Sequence, residues 1–334
     1  TRLEEFMTEV KIDEYEIKRT FLGSEMEGKK YIHPLLDEIP KLAEISKQDN
    51  YHVTVAENFV DVNAGSGLVH LSPANGEEDN NIAMKRKVTV FCPIDDEVKF
   101  TEDAGKYAGL FVRDADEKLV QSVKDRNALV KIGKIKHKYP LCWRCNHGLV
   151  WLARREYFYM LDKLGDKAIK AAEDVEYFFD QPKNRFLEII KEKHPWCISR
   201  ERYWGCPIPV WKCNDCENTE QLFSRKEIIE SAIELPDGEN FELHRPWIDK
   251  IKVKCKECSG VMQREEFVLD TWHNSGAAPI ASLDEATYKE KIPAPFFTEG
   301  IDQTRGWAYT LLIENVIYNN ASVSPYKSFL FQGH

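Results

Sequence analysis

The chain has 334 residues, enough for two or more domains that each bury a core of their own. Hydrophobic residues make up 43% and charged residues 31%, which is typical of a soluble globular protein. There is no apolar run near the roughly 18 residues of a membrane span and no secretory leader, so we expect a cytoplasmic protein without a membrane partner. The net charge of −10 disfavours a protein that coats nucleic acid by bulk electrostatics.

Short β-branched runs separated by Asn, Gly and Pro dominate residues 52–94 and predict strands. The apolar spacing then predicts an amphipathic helix over Asp114–Ala128, and a further strand is expected over Leu129–Tyr139. Together these elements predict a β-rich domain over residues 30–140. The chain starts at Thr1 and its last apolar run stops abruptly, so we expect both ends to be cut.

The second half of the chain has the pattern of an α/β domain. A strand followed directly by a helix near residues 295–318 is typical of a parallel sheet. The predicted strands are Val150–Ala153, Glu156–Met160, Pro295–Gly300 and 329–334, and the predicted helices are Asp166–Val175, Pro182–Lys191 and Thr304–Tyr318.

Nine cysteines are an odd count for a disulfide framework, and six of them form three Cys-x-x-Cys pairs. Two of these pairs, Cys213/Cys216 and Cys255/Cys258, have the spacing that is typical of a tetrahedral Cys₄ zinc site. Such a site leaves no open coordination position for catalysis. The 38 residues between these pairs (217–254) exceed the usual loop, so this insert must double back. The alternative is a set of unrelated buried cysteines.

Cys142/Cys145 is a half-site whose partner is not evident in the chain. A thioredoxin-like redox pair would need to open a helix after a strand, whereas the predicted context is β on both sides. Two basic segments, 131–138 and 191–202, are candidates for a local nucleic-acid groove, although a solvated face explains the first equally well.

The segment from Gly65 to Asp79 combines glycines, which allow a ligand to approach the backbone closely, with two polar side chains. We expect His70 on a strand and Asp79 just past a turn. A β-turn with a hydrogen-bonded histidine is the equally good structural alternative.

Four blocks in order resemble the class I tRNA synthetases for branched aliphatic amino acids, over about residues 30–334. Pro195–Pro209 is similar to the block before the zinc insert, and its Trp-Cys-Ile-Ser start is closest to the isoleucyl enzymes. Leu269–Gly276 and Thr298–Trp307 are similar to the next block and to the adenylate-site block. Gly65–Asp79 resembles the editing motif, with histidine at position 70 as in the isoleucyl version.

The resemblance implies ATP-dependent charging of tRNA(Ile) with isoleucine through an adenylate, by a monomer that uses Mg as well as Zn. It implies an α/β plus β fold: the second half of a Rossmann-type catalytic domain with a zinc-ribbon insert, after part of a β-barrel-like editing domain. The expected boundaries are 1–140 for editing, 141–205 for the connection, 206–262 for the zinc insert and 263–334 for the catalytic part.

The resemblance also assigns roles to individual residues. The amino-acid pocket would be walled by Trp272 and Trp307. Valine differs from isoleucine by one methylene, a standard example of a difference worth only ~1–3 kcal/mol in an apolar pocket, so a second site must hydrolyse Val-tRNA. There Asp79 would bind the α-amino group and His70 would shape the pocket. The residues expected to contact the adenylate are Glu299, Gly300, Asp302, Gln303, Gly333 and His334.

Some family features are missing from these 334 residues. The His-Ile-Gly-His and Lys-Met-Ser-Lys-Ser motifs and the threonine-rich editing loop are absent, so we expect the polypeptide alone neither to activate isoleucine nor to deacylate Val-tRNA efficiently. His273-Asn274 replaces an expected Phe-Asp, and Glu201 replaces the commoner Gln.

Two rival hypotheses remain open. A zinc-ribbon nucleic-acid-binding protein without catalysis would explain the cysteine pairs and the basic runs, but not the blocks at 70–79 and 299–307. A valyl enzyme is disfavoured by His70 and by Trp196-Cys197.

Overall fold

The structure, a computed structural model, describes residues 2–61, 66–134 and 136–333. The chain divides into two compact units, Thr1–Arg154 and Arg155–His334. Within the described ranges, no helix has both the length and the apolar character needed to cross a membrane. Gly65, the first residue of the editing-like motif, and His334, an expected adenylate contact, lie outside the described residues.

The regular secondary structure of the first unit consists of short helices. Helix α4 confirms the amphipathic helix expected over Asp114–Ala128. The helices are α1 (Leu3–Glu9), α2 (Pro40–Ile45), α3 (Glu77–Arg86) and α4 (Asp116–Asp125), with 3-10 helices at Gly23–Met26, Leu36–Glu38 and Glu102–Tyr107.

The strands predicted for the first unit are wrong in its described residues, where backbone pairing is limited to isolated bridges. One antiparallel bridge joins Lys30 to Val53, and another joins Lys99 to Phe111. In each bridge, the residue before one of the two partners has a positive φ, which interrupts the extended backbone. His52, before Val53, has a φ of 51°, and Val98, before Lys99, has a φ of 62°. A left-handed residue beside a paired one turns the chain away before a ladder can grow.

Helix α3 was missed, and it contains Asp79. Asp79 lies past the turn at residues 73–75, as expected, and belongs to the first turn of α3, together with Glu77 and Glu78. The acidic residues at the start of α3 and the basic residues at its end complement the helix dipole. This order of charges, rather than an apolar stripe, was the sequence feature that indicated the helix. His70 is exposed and lies outside any strand.

A buried carboxylate ties the first unit together. The Glu38 side chain is only 8% exposed, and it pairs with Lys106 at 2.7 Å and with Arg126 at 2.5 Å. The hydroxyl of Tyr107 donates to Glu38 and lies 2.8 Å from Ser122 Oγ. Burial alone would raise the pKa of Glu38, but these hydrogen bonds lower it to about 2.

The second unit contains the helices predicted at Asp166–Val175 and Pro182–Lys191 and a long helix after residue 304. Its helices are α5 (Gly165–Glu173), α6 (Asp180–Lys191), α7 (Arg225–Ser231), α8 (Thr271–Gly276), α9 (Ala278–Ser282), α10 (Glu285–Lys291) and α11 (Trp307–Asn319), with 3-10 helices at Ile248–Lys250 and Ile301–Arg305.

Its strands form four small sheets. The bounds are β1 (Phe158–Tyr159), β2 (Glu176–Tyr177), β3 (Trp196–Cys197), β4 (Ser199–Arg200), β5 (Val210–Cys213), β6 (Thr219–Gln221), β7 (Ala232–Glu234), β8 (Lys252–Lys254), β9 (Val261–Arg264), β10 (Val268–Leu269), β11 (Phe297–Gly300) and β12 (Ser328–Gln332). The expected strand at Val150–Ala153 is not formed, since those residues have no strand partner.

A parallel sheet in the order β11-β12-β2 confirms the α/β arrangement expected at the end of the chain. Phe329 and Phe331 alternate on one face of β12 and are buried. They pack with the apolar side of α11 and with α5 and α6 in one hydrophobic core. The apolar run Phe329-Leu330-Phe331 and the helix after β11 are typical of a parallel sheet that helices cover.

The segment with the two remaining cysteine pairs forms an antiparallel sheet in the order β6-β5-β9-β8-β7. Trp211, Met262 and Val253 fill its core. Arg264 is fully buried and pairs with Asp249 at 2.5 Å. The segment thus has a separate core of its own within the second unit.

Acid should destabilise the first unit through Glu38. Its pKa is about 2 in the folded chain and near 4.5 ordinarily, so its stabilising charge is fully present above pH 5 and is lost as the pH falls toward 2. Glu38→Gln removes one partner of a buried ion pair and should cost about 3 kcal/mol at pH 7. Urea unfolding of both proteins at pH 7 and pH 3 measures this, with a smaller difference expected at pH 3.

Glu97→Gln is the matched control, because Glu97 is 73% exposed and pairs with Lys99 at the surface. Its unfolding free energy should change by less than about 1 kcal/mol. Equal effects of the two substitutions would contradict a special role for Glu38.

Candidate functional site

The carboxyl ends of two neighbouring parallel strands form the first candidate site. Glu299 is aligned with Phe331 and Gly300 with Gln332, so β11 and β12 end at the same edge of the sheet. Gly333 follows β12 there, with open space around its Cα. Ligands of parallel α/β sheets bind at this edge, where a following helix presents its N-terminus. The structure therefore places the sequence-predicted Glu299, Gly300 and Gly333 together.

Gln303 connects this edge to α11. Its Oε1 accepts the backbone N–H of Trp307 at 2.8 Å, and its Nε2 donates to Asp302 Oδ2 at 2.9 Å. A Cβ at Gly300 would lie 2.4 Å from Asp302 Oδ1, so a side chain there would displace the carboxylate. The amide of Gln303 thus caps the first turn of α11 and orients Asp302.

Trp272 and Trp307 lie close together where α8 crosses α11. The Trp307 indole N–H donates to the carbonyl of Ser275 in α8 at 3.0 Å. A Cβ at Gly306 would be 3.3 Å from Cη2 of Trp272, so that indole lies against the start of α11. Trp272 is 42% exposed and Trp307 is half-buried, which leaves indole surface available for a ligand.

The four cysteines of the antiparallel sheet converge at one point. Their sulfur atoms all lie within 4.8 Å of one another, with Cys213 and Cys258 at 3.5 Å and Cys216 and Cys255 at 3.7 Å. A tetrahedron with Zn–S bonds of ~2.3 Å has sulfur separations of roughly 3.8 Å. This donor set could hold a metal ion. The backbone N–H of Cys258 helps to lower the pKa of Cys255 to about 7, toward the thiolate that a metal binds.

Cys142 and Cys145 share the backbone geometry of these two pairs. In each pair the first cysteine donates its N–H to the carbonyl five residues later at 2.8 Å, at His147, Asn218 and Gly260. The residue directly before each acceptor carbonyl has a φ near 60°; these residues are Asn146, Glu217 and Ser259. In the described part of the chain, no further His, Cys, Asp or Glu completes a group of three around Cys142 and Cys145.

The first unit contains a cavity of about 480 Å³ lined by both residues of the editing-like motif, His70 and Asp79. The backbone N–H of Ser72 donates to Asp79 Oδ2 at 2.8 Å and fixes the carboxylate. Apolar residues, among them Leu42 and Ile82, form much of the remaining wall. The cavity thus offers an acidic side chain beside an apolar surface.

Sequence reasoning missed the cavity residues outside the editing-like motif, among them four aromatic and imidazole side chains: Tyr31, His33, Tyr51 and His52. The His52 ring is 5.2 Å from Tyr31, 5.4 Å from His33 and 4.8 Å from Tyr51. The hydrogen bond from Tyr31 N–H to the His52 carbonyl brings the segments together. In the sequence, these residues form two short Tyr/His clusters, at 31–33 and at 51–52. No local pattern predicts that two clusters about 20 residues apart come together.

Burial and neighbouring imidazoles determine the charge of these histidines. Burial, then the nearby His52 and His70, lower the pKa of His33. Burial, then His70, lower the pKa of His52. His33 Nδ1 accepts the backbone N–H of Leu35 at 3.2 Å, so its neutral ring carries the proton on Nε2.

The family described as tRNA synthetases class I (I, L, M and V) matches residues 3–334. Isoleucine–tRNA ligase of Saccharolobus islandicus is 41% identical over 99% of this chain and 31% of its own length. The isoleucine–tRNA ligase of Methanocaldococcus jannaschii is 40% identical, over 96% of this chain and 30% of its own length. That of Methanopyrus kandleri is 36% identical, with 96% and 31% covered.

The chain therefore spans about a third of the length of the curated relatives it matches. Among solved structures, LeuRS of Agrobacterium radiobacter K84, in its complex with tRNA and LeuAMS, aligns over 42% of this chain and 20% of its own. The identity is 23% and the TM-score is 0.31. The match across residues 3–334 means that this chain belongs to the class I tRNA synthetase family.

Proposed function

We propose that this chain is the central part of an isoleucine–tRNA ligase, which charges tRNA(Ile) through an isoleucyl-adenylate and hydrolyses misacylated Val-tRNA. The observation that carries the proposal is the joint carboxyl edge of β11 and β12 at the start of α11, formed by a block similar to the family's adenylate site. About 40% identity to isoleucine–tRNA ligases across nearly the whole chain supports isoleucine as the amino acid.

The adenylate would lie across this edge. Glu299 contributes a carboxylate to hold it, while Asp302 and Gln303 face its aminoacyl and ribose groups. The hydrogen bonds of Gln303 to Trp307 and Asp302 set those groups before any ligand arrives. Backbone N–H groups at the start of α11 favour negative charge, which suits a phosphate. ATP and Mg are the substrate and cofactor of the reaction in the full-length protein, with Gly300, Gly333 and His334 beside the nucleotide.

Trp272 and Trp307 would form the walls of the isoleucine side-chain pocket. Their proximity at the α8–α11 crossing supports this role, since two exposed indole faces can enclose a branched aliphatic group. Core packing would account for either tryptophan alone, but it does not account for the partial exposure of both.

The cavity of the first unit would be the editing pocket. Asp79 binds the α-ammonium group of the misacylated valine in a charge-assisted contact, and the Ser72 N–H keeps the carboxylate in place. His70, at the cavity wall, limits the size of the aliphatic side chain. Water is the nucleophile in this proposal. We keep residues 1–140 as the editing part, 141–205 as the connection, 206–262 as the zinc insert and 263–334 as the catalytic part.

The Cys₄ cluster would bind one structural Zn²⁺. Four thiolates complete a tetrahedral shell, so the ion stabilises the insert and takes no part in catalysis. Cys142 and Cys145 would supply half of a second zinc site, because their backbone has the same turn as the other two pairs. The protein is proposed to act as a cytoplasmic monomer.

Binding of a non-hydrolysable isoleucyl-adenylate analogue to the full-length protein that carries this chain tests the adenylate site. Glu299→Gln should weaken binding by roughly 10- to 100-fold, because a hydrogen bond to a charged group contributes about 1.5–3 kcal/mol. Glu290→Gln makes the same change on the exposed side of α10 and should leave the affinity unaltered. Tighter binding of a valyl-adenylate analogue would refute the assignment to isoleucine.

Deacylation of Val-tRNA(Ile) by the same protein tests the editing pocket. Asp79→Asn keeps an acceptor for the Ser72 N–H but loses the charge that holds the ammonium group, so the rate should fall roughly 10- to 100-fold. Isoleucine-dependent exchange of pyrophosphate into ATP should stay normal. Glu78→Gln, one residue earlier and exposed, is the control. Faster clearance of Thr-tRNA than of Val-tRNA would favour the valyl hypothesis instead.

Zinc analysis of the full-length protein tests the cysteine assignments. We expect two bound zinc ions in the unsubstituted protein and one in either Cys216→Ser or Cys142→Ser. Cys206→Ser, which alters an exposed cysteine outside the three pairs, should retain both ions. Thermal unfolding of Cys216→Ser should occur at a lower temperature because the metal contributes to folding free energy. Unchanged zinc content in Cys216→Ser would contradict the site.

A further inference from the structure

A buried acid–imidazole pair connects α8 to α11 at the position where the sequence departs from the family pattern. His273 replaces the expected phenylalanine, and its Nδ1 lies 2.6 Å from Oε1 of Glu314. The two side chains are 16% and 6% exposed. Within the described residues no lysine or arginine pairs with Glu314, so the imidazole is the hydrogen-bonding partner that this buried side chain needs.

Two further polar side chains lie near the pair of His273 and Glu314: Tyr159 of β1 and Asp270, just before α8. The Tyr159 hydroxyl of β1 is 3.4 Å from His273 Nδ1, and burial together with the Glu314 charge raises the pKa of Tyr159. Asp270, just before α8, is occupied by the Trp196 indole and by Arg200, each at 3.1 Å. Asp270 therefore has its own partners. The hydrogen bond between His273 and Glu314 is a side-chain connection between α8 and α11, in addition to the one from the Trp307 indole to the Ser275 carbonyl.

The same two helices carry the two tryptophans. His273 directly follows Trp272, and Glu314 lies seven residues, two helical turns, after Trp307 on α11. A Cβ at Gly276 would be 2.8 Å from the Thr310 backbone, so the helices touch with no space for adjustment there. Any loosening at His273 and Glu314 must then rotate α8 about that contact and move Trp272 relative to Trp307.

We propose that His273 and Glu314 are specificity-determining positioning residues, whose buried hydrogen bond sets the distance between the two indole walls of the amino-acid pocket. This inference rests on the proposed function. His273 is largely covered and its hydrogen bond is to Glu314, so the pair acts through Trp272 and Trp307 rather than on the substrate. A hydrogen bond has a preferred length and direction, which an apolar contact between flexible side chains does not impose.

The test is steady-state pyrophosphate exchange with the full-length protein, using isoleucine and valine. His273→Phe and Glu314→Gln should each raise the KM for isoleucine roughly tenfold and lower the isoleucine-to-valine preference, with kcat changed less than about twofold. The double variant His273→Phe/Glu314→Gln should be no worse than either single variant, because both substitutions remove the same interaction.

Tyr288→Phe is the matched control. It removes the hydrogen bonds of the Tyr288 hydroxyl to Asn315 and Asn319 of α11, on the side that faces α10. It should lower the melting temperature about as much as the single variants while leaving the KM unchanged. If it raises the KM equally, the effect is general loosening of α11 and the inference is overturned.

Further outcomes separate the two proposals. Unaltered KM values in both single variants, with normal exchange by the unsubstituted protein, would overturn the inference alone. Independent, multiplying effects in the double variant would overturn it as well. Absence of isoleucine-dependent exchange in the unsubstituted protein would overturn the proposed function and this inference with it.

Discussion

The parallel pairing of β11 with β12 is the constraint on which the second unit depends. Phe329 on β12 stacks on Phe331 at 4.3 Å and meets Tyr326 at 4.8 Å in the core. Burying each of these rings contributes about 1.5–3 kcal/mol, and a slip of one residue would turn the strand's buried face to solvent. The register therefore has one stable choice. That choice brings Glu299 and the end of β12 to a common edge, where α11 begins.

Sequence reasoning predicted the parallel-sheet part of this unit because local pattern and packing agree there, whereas it described the segment of the sheet β6-β5-β9-β8-β7 as irregular. The apolar strand at Pro295–Gly300, the helix after it and the last strand all form, since each buries the residues that made it recognisable. In the first unit the β-branched runs did not form strands. Single residues with positive φ, His52 and Val98, end each pairing, and such backbone angles at non-glycine residues leave no trace in a hydrophobic pattern. Helix α3 was missed because its signal is charge order rather than apolar spacing.

Site residues were predictable only where a motif keeps them close in sequence. Glu299 to Gln303 and the cysteine pairs are of this kind. Tyr31, His33 and His52 reach the cavity through one hydrogen-bonded contact between distant segments, and Glu314 meets His273 across 41 residues. Polar groups of this kind are buried only when they form a hydrogen bond with each other. Glu314, an acidic residue within the apolar sequence of α11, therefore indicated that a partner existed. What it could not indicate was which residue that partner would be.

The electrostatics of the cavity in the first unit likewise depend on which charged side chains have a partner of opposite charge. Arg86, its positively charged lining residue, is held by Glu57 at 3.1 Å and by Glu27 at 3.2 Å. Because the pKa values of His33 and His52 are lowered, both rings are neutral at neutral pH. Asp79, at the start of α3, contributes an acidic side chain to a wall that also holds the polar Asn50, Ser72 and His70 beside its apolar and aromatic residues. Such a cavity favours a ligand that joins one cationic group to a small aliphatic body, as an aminoacyl ester does, and disfavours a free carboxylate. The histidines would weaken this preference if they were protonated, since two positive rings would then compete with the ammonium group for the same acid.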